Sequence, residues 1–289
     1  MTKHIIGAGL SGLITAYYLK DYYLIDKKEN IGGQFNHSFL LGPRFVKYNE
    51  EFKRLLKELG IKYTIKKARV GYSYKDSIYS KLTSKMKKEY CSKTRNSKDE
   101  KSFMCDKNNT FCYLDFDFKI FIDTIFSKIK DRFIDGYIST ISIYKNHIYL
   151  NCGNYTIDSE KVISTIHYKN FCKLVNKKYV SQNKDIYFYC CERNESDTNK
   201  FDFIYYIDKN TPINRITYTK KFIIVEATRN IKIINRKVID KYVLTDYKLS
   251  SKNKIKEFKN IKFLGRYATL DNSKRINNIF EEIKNAKKC

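Results

Sequence analysis

The stretch HIIGAGLSGLITAYYL, His4–Leu19, constrains the fold of this chain more than any other. A sequence with only 11 glycines in 289 residues places three of them, Gly7, Gly9 and Gly12, directly behind its first apolar run. From Lys3 the pattern predicts a short strand, a glycine turn and a helix from Ser11 to Lys20. A second strand, Tyr22–Ile25, then ends at Asp26. A GxGxxG that follows a strand and opens a helix is the context in which dinucleotides bind. Gly7 makes the tight turn, Gly9 lets the backbone approach a pyrophosphate, and Gly12 lets helix and strand pack closely. The helix N-terminus presents free N–H groups and a positive dipole end to the phosphates. Asp26 is the expected acceptor for ribose hydroxyls, and its charge argues against a 2′-phosphate and so against NADP.

The rest of the sequence sets the scale. Hydrophobic residues at 42% over this length suffice for a core in one large domain or two interleaved ones. No run approaches the roughly 20 apolar residues of a membrane helix, and the glycine-interrupted start does not read as a signal peptide. A cytoplasmic protein (host cytoplasm if viral) is expected. The eight cysteines show no CxxC spacing, so reduced thiols and no metal site are expected. The vicinal Cys190-Cys191 pair would bridge only with strain. The net charge of +26 admits two accounts. One is attraction to a polyanion such as nucleic acid. The other is residue bias, since Lys, Asn, Ile and Tyr abound while Pro and Trp are scarce and lysine outnumbers arginine. Composition leaves both open.

Further along, Lys47–Leu59 has helical periodicity, with Phe52, Leu55, Leu56 and Leu59 on one face and Gly60 as its stop. Residues 61–82 alternate like strands, and the polar 83–110 reads as a loop or cover. A helix over Phe116–Asp131 follows, with Phe118, Phe121, Ile122, Ile125 and Ile129 inward. Short strands then run through YISTISIY, HIYLNC and KVISTI, and again through 185–226. A last strand, Ile261–Leu264, meets Gly265, and a terminal helix spans Ser273–Lys287. Strand–helix patterns at both ends with a β-rich middle predict an α/β nucleotide-binding domain interrupted by a second domain.

DKKENIGGQFNHSFLLGPRF adds a second glycine pair, Gly32-Gly33, shortly after Asp26. This resembles the D/E-x(4)-(I/V)-G-G block of the FAD-dependent amine oxidase, protoporphyrinogen oxidase and UDP-galactopyranose mutase superfamily. LGPRF resembles the Gly-Pro-His segment of the mutases, with Arg44 in the histidine's place. KVISTIHY, YYIDKNTPINRITY (with Pro212 and Arg215) and NIKFLGRYATLDNSKRINNIFEEI (with the Gly265-Arg266 step) are similar to later family blocks. The likeness covers most of 1–60 and scattered blocks beyond 110; nothing similar is seen for 61–110 or 170–205.

The resemblance implies a Rossmann-like FAD-binding domain of the GR2 type, interrupted by a smaller β-rich α+β substrate domain. The FAD-binding domain would comprise 1–60, 111–168 and 216–289, and the substrate or cap domain 61–110 and 169–215. FAD is the implied cofactor. It would be held by Gly7, Gly9, Leu10, Ser11, Gly12, Asp26, Lys27, Gly32, Gly33, Gln34, Pro43, Arg44, Gly265, Arg266 and Ile276. No second GxGxxG exists, so no separate NADPH site is expected.

Because a flavin carries most of the reactivity itself, few catalytic side chains are expected. Arg44 and Arg215 are the catalytic candidates, with Arg266 near the ring or pyrophosphate, because arginine's planar fork suits phosphate and carboxylate. Arg95, His37 and His167 are secondary candidates. The implied activity is oxidation of an amine-type C–N or related C–H bond by hydride transfer to flavin N5. Two alternatives are a non-redox sugar-nucleotide mutase and a flavoenzyme acting on amino-acyl thymine in viral DNA. The latter, known from bacteriophage pathways, would give the positive charge a role. A non-enzymatic basic nucleic-acid-binding module is the competing class.

Overall fold

The computed structural model describes residues 2–36, 46–94, 110–179, 184–194, 200–248, 258–271, 274 and 276–287. Its first layer grows from the opening strand. Strands β1 (Lys3–Ile6), β2 (Tyr23–Asp26), β7 (Phe133–Asp135), β11 (Lys161–Ser164) and β17 (Ile261–Phe263) form a parallel sheet in the order β17-β11-β1-β2-β7. Alternation sends side chains to opposite faces. Ile5, Leu24 and Ile163 face one core, whereas Ile6, Ile25 and Val162 face another.

The first core is covered by helices α1 (Leu10–Tyr18), α2 (Glu50–Glu58), α4 (Phe118–Ser127) and α6 (Ile279–Lys287). Local chemistry starts two of them. Asn49 caps α2 by accepting the Phe52 N–H at 2.9 Å, and Asp117 caps α4 by accepting from Lys119 and Ile120. Phe52, Leu55 and Leu56 of α2 and Phe118, Phe121, Ile122 and Ile125 of α4 are buried as their spacing predicts. Arg132, just after α4, donates to the carbonyls of Ala16, Leu19 and Tyr22, closing the C-terminal end of α1. The second core is covered by α5 (Tyr168–Leu174) and an antiparallel meander of β8 (Thr140–Tyr144), β9 (His147–Asn151) and β10 (Thr156–Ser159).

The remaining strands build a large mixed sheet. Its order is β16 (Val238–Lys248), β12 (Lys184–Glu192), β15 (Phe222–Ala227), β14 (Ile213–Tyr218), β13 (Phe203–Tyr206), β4 (Thr64–Tyr74), β6 (Thr110–Asp115) and β3 (Val46–Lys47), with β5 (Ser77–Tyr79) beside β4. Residues 213–248 thus contribute three strands to this sheet, not to the parallel one, although most of that span was expected with the nucleotide-binding unit. The three are antiparallel neighbours of β12 and β13 and follow their register.

The expected loop over 83–110 is corrected in its first part: α3 spans Ser84–Thr94. Its apolar contacts are sparse, with Met86 and Tyr90 buried against Ala68, Val70 and Tyr72, so lysine dominates its composition. Lys93 reaches inward and donates to the carbonyls of Tyr206 and Ile213 at 2.8 and 2.5 Å. The terminal helix also begins later than Ser273: a 3₁₀ turn, Ile276–Asn278, precedes α6.

Candidate functional site

The three motifs separated in sequence meet at the N-terminus of α1. Gly7 has φ +103°, a conformation that side-chain-bearing residues avoid. A Cβ on Gly12 would lie 1.8 Å from the Gly7 carbonyl oxygen, so only glycine lets α1 sit this close to the turn. Thr165, following β11, locks the arrangement by donating to the carbonyls of Ile6 and Gly7 at 3.0 and 2.9 Å.

The second glycine pair docks on the first. Gly32 N–H donates to the Ala8 carbonyl at 2.9 Å, Gly9 and Gly32 form a parallel bridge, and a Cβ on Gly33 would stand 3.2 Å from Gly9 Cα. The C-terminal motif arrives from the other side, where a Cβ on Gly265 would fall 2.8 Å from Ser11 Oγ. Gly265 N–H donates to Glu282 of α6 at 2.8 Å, and Glu282 also pairs with Lys274. Arg266 lies over the Tyr267 ring at 5.6 Å.

This convergence leaves one direction open. A Cβ built on Gly9 meets no atom within 4 Å. Gly9 caps α1 with no side-chain acceptor, and no acidic residue stands in the first turn. A helix begins with N–H groups that no earlier turn satisfies, and here they face a glycine-lined opening with a favourable dipole. A diphosphate fits such a cradle.

Asp26 is tied into the loop by three hydrogen bonds. Its Oδ2 accepts the Ala8 N–H at 2.7 Å, while Oδ1 accepts from the Lys27 amide at 2.8 Å and from Asn30 Nδ2 at 2.9 Å. A carboxylate offers about four acceptor positions, so one remains, on Oδ2. Asp26 is first a clasp between the glycine turn and the loop after β2, with room for one further hydroxyl rather than two. Lys27 sits beside it with Nζ 5.2 Å from the Tyr137 ring centroid. Leu10 is buried in the first turn of α1, and Ile276 packs on the helix-side core. Gln34 lies in the 3₁₀ turn Gly33–Asn36.

Arg215 is found elsewhere than at an open surface. On β14 it pairs with Glu226 of β15, the two side chains 14% and 3% exposed. A register shift between Ile213 and Arg215 lets Asn214 reach the same carboxylate at 3.3 Å. Burial disfavours the Arg215 charge, but Glu226 and then Tyr205 outweigh it and raise its pKa. Its guanidinium is paired within the sheet to Glu226.

His167 is an N-cap, accepting the Lys169 N–H at 3.1 Å and stacking on Tyr267 at 5.7 Å. Cys190 and Cys191 are free thiols that face opposite cores, and burial pushes the Cys190 thiol up to about 11. Arg44, Pro43, His37 and Arg95 lie outside the described residues. No group of three or more His, Cys, Asp or Glu among the described residues is placed to hold a metal. No described helix is long and apolar enough to cross a membrane.

The sequence matches no family model and no curated protein. Its fold does have solved relatives. One is an oxidoreductase from Methanosarcina mazei, 12% identical, covering 98% of this chain and 100% of that one at TM-score 0.63. Reduced UDP-galactopyranose mutase is 11% identical, with 99% and 95% covered, at TM-score 0.64. A putrescine oxidase double mutant, made in a redesign of cofactor binding, is 9% identical, with 100% and 99% covered, at TM-score 0.62. At such identities the likeness is of fold, and the chain has the mixed α/β fold that these oxidoreductase and mutase structures share.

Proposed function

We propose that this chain is a FAD-dependent oxidoreductase that removes a hydride from an amine-type C–N or related C–H bond. The observation that carries the reading is the meeting of Gly9, Gly32-Gly33 and Gly265 around the uncapped start of α1. Bound FAD would supply the hydride acceptor at N5. The chain's own part is positional. The α1 amides and the open side of Gly9 hold the diphosphate, the free position on Asp26 Oδ2 takes one ribose hydroxyl, and Gly265-Arg266 closes the cradle. The mixed sheet would form the substrate side, with Arg215 maintaining its shape through Glu226.

The similarity to reduced UDP-galactopyranose mutase supports a second reading, a flavin reaction without net redox change. Purified protein separates the alternatives. Released FAD should be identified after denaturation, and apo protein should gain a flavin spectrum on adding it. At about 100-fold excess over Kd, FAD should raise Tm by about 5 °C. Anaerobic bleaching by candidate amines supports the oxidase reading. Turnover of a sugar nucleotide only after prior reduction supports the mutase reading. Neither spectrum nor Tm shift at excess FAD would refute both.

A further inference from the structure

A strip of positive charge on the mixed sheet has no part in holding a flavin. Residues 228–237 leave β15 and return across one face of β12 and β15 before entering β16. Ile231 and Ile233 anchor this strap on Tyr189, Cys191, Ile223, Val225 and Ala227. The Ile231 N–H donates to Tyr189 Oη at 2.8 Å, and the Glu192 N–H donates to the Lys237 carbonyl at 3.1 Å. Anchoring alternate residues leaves the others outward: Arg229, Lys232 and Ile234 are exposed, Ile234 to 71%.

Lys241 of β16 adds a charge, with its Nζ 2.8 Å from Asn230 Oδ1 and over the rings of Tyr187 and Tyr189. Lys220 and Lys221 are exposed in the β14–β15 turn. From Thr219 to Lys241 there are seven Lys and Arg against two acids. One of those acids, Glu226, is buried with Arg215, which leaves Asp240, while Lys237 is paired outside this span with Glu192 of β12 at 3.0 Å. Lys220, Lys221, Arg229 and Lys232 pair with no carboxylate among the described residues.

We propose that this strip is a docking surface for a nucleic-acid backbone. The strap runs the length of β15, six residues or about 20 Å at strand rise. A linear row of cations over that distance matches a linear polyanion, since duplex DNA carries one charge per about 1.7 Å of axis. Of the exposed strap residues, Arg229, Lys232 and Lys237 are charged, Asn230 and Asn235 are polar and Ile234 alone is apolar, whereas a surface that lodges in a bilayer needs a broad apolar face. The inference is independent of the flavin reading, because binding is measured on the same chain with or without FAD.

The test is fluorescence anisotropy of a labelled 20-base-pair DNA duplex titrated with full-length protein from 50 to 300 mM KCl. The strip variant carries Lys221→Gln, Arg229→Gln and Lys232→Gln. A control carries Lys20→Gln, Lys128→Gln and Lys130→Gln, three exposed lysines on the helix layer, and so has the same net charge. Thermal melts confirm that both fold. The strip variant should bind at least about tenfold more weakly at 100 mM salt, with its log–log salt slope reduced by about 2.7, or 0.9 per lost contact. The control should remain near wild type. Equal losses in both variants would assign binding to net charge and overturn the proposal, as would wild-type protein that does not bind DNA. A strip variant that keeps DNA binding but loses anionic vesicles would make the strip a membrane surface instead.

Discussion

Two glycines of one motif do different physical work, and substitution separates them. At Gly12 a Cβ collides with backbone, so Gly12→Ala should cost several kcal/mol, about the scale of severe overpacking, and lower Tm with or without cofactor. At Gly9 the backbone is extended, with φ −67° and ψ 176°, and a side chain meets open space. Gly9→Val should leave the apo Tm within about 1 °C while abolishing the FAD-induced shift. Paired melts with and without FAD check both outcomes. His4 offers a second probe. It is 2% exposed, its Nδ1 is 2.8 Å from Ser159 Oγ, and burial lowers its pKa to about 4. The unfolded chain takes up this proton near pH 6.5 and the folded chain resists it. Stability is therefore full above about pH 6.5 and falls as pH drops toward 4. Urea melts at pH 7 and 4.5 should differ by on the order of 2 kcal/mol more in wild type than in His4→Gln.

At the scale of elements, the Arg215–Glu226 pair binds β14 to β15 across a bulge. Breaking one partner of a buried pair strands the other's charge, so Glu226→Gln should destabilise by about 3 kcal/mol. Replacing both by apolar residues, Arg215→Met with Glu226→Leu, should recover most of that loss, as read from denaturant midpoints. Failure of the double variant to recover would show the guanidinium serving a partner other than Glu226. The legibility of elements follows the same physics. α2 and α4 were readable because cap and apolar stripe are adjacent in sequence. α3 was not, because Met86 and Tyr90 are its few apolar anchors and their partners on β4 lie before it in sequence. The engagement of Arg215 was hidden too: its counter-ion is 11 residues away across a turn, in a register set by an irregularity that no local pattern announces.

At the scale of the molecule, the glycine cradle was legible because close backbone approach demands glycine at fixed spacing, whatever surrounds it. The partial engagement of Asp26 was not, since it depends on Asn30 and on the Ala8 and Lys27 amides turning toward it. The sheet membership of 213–248 was likewise set by strand pairing over long separations. The parallel sheet makes the same point in another form, because its centre joins β1 to β11 and β11 to β17, segments more than 250 residues apart at the extremes. Gly265 closes on Ser11 across more than 250 residues of intervening chain. Until β17 has docked on β11 the amino-terminal turn lacks the wall that Gly265 supplies, so the proposed FAD cradle is finished by the last strand of the parallel sheet and not by the opening motif alone.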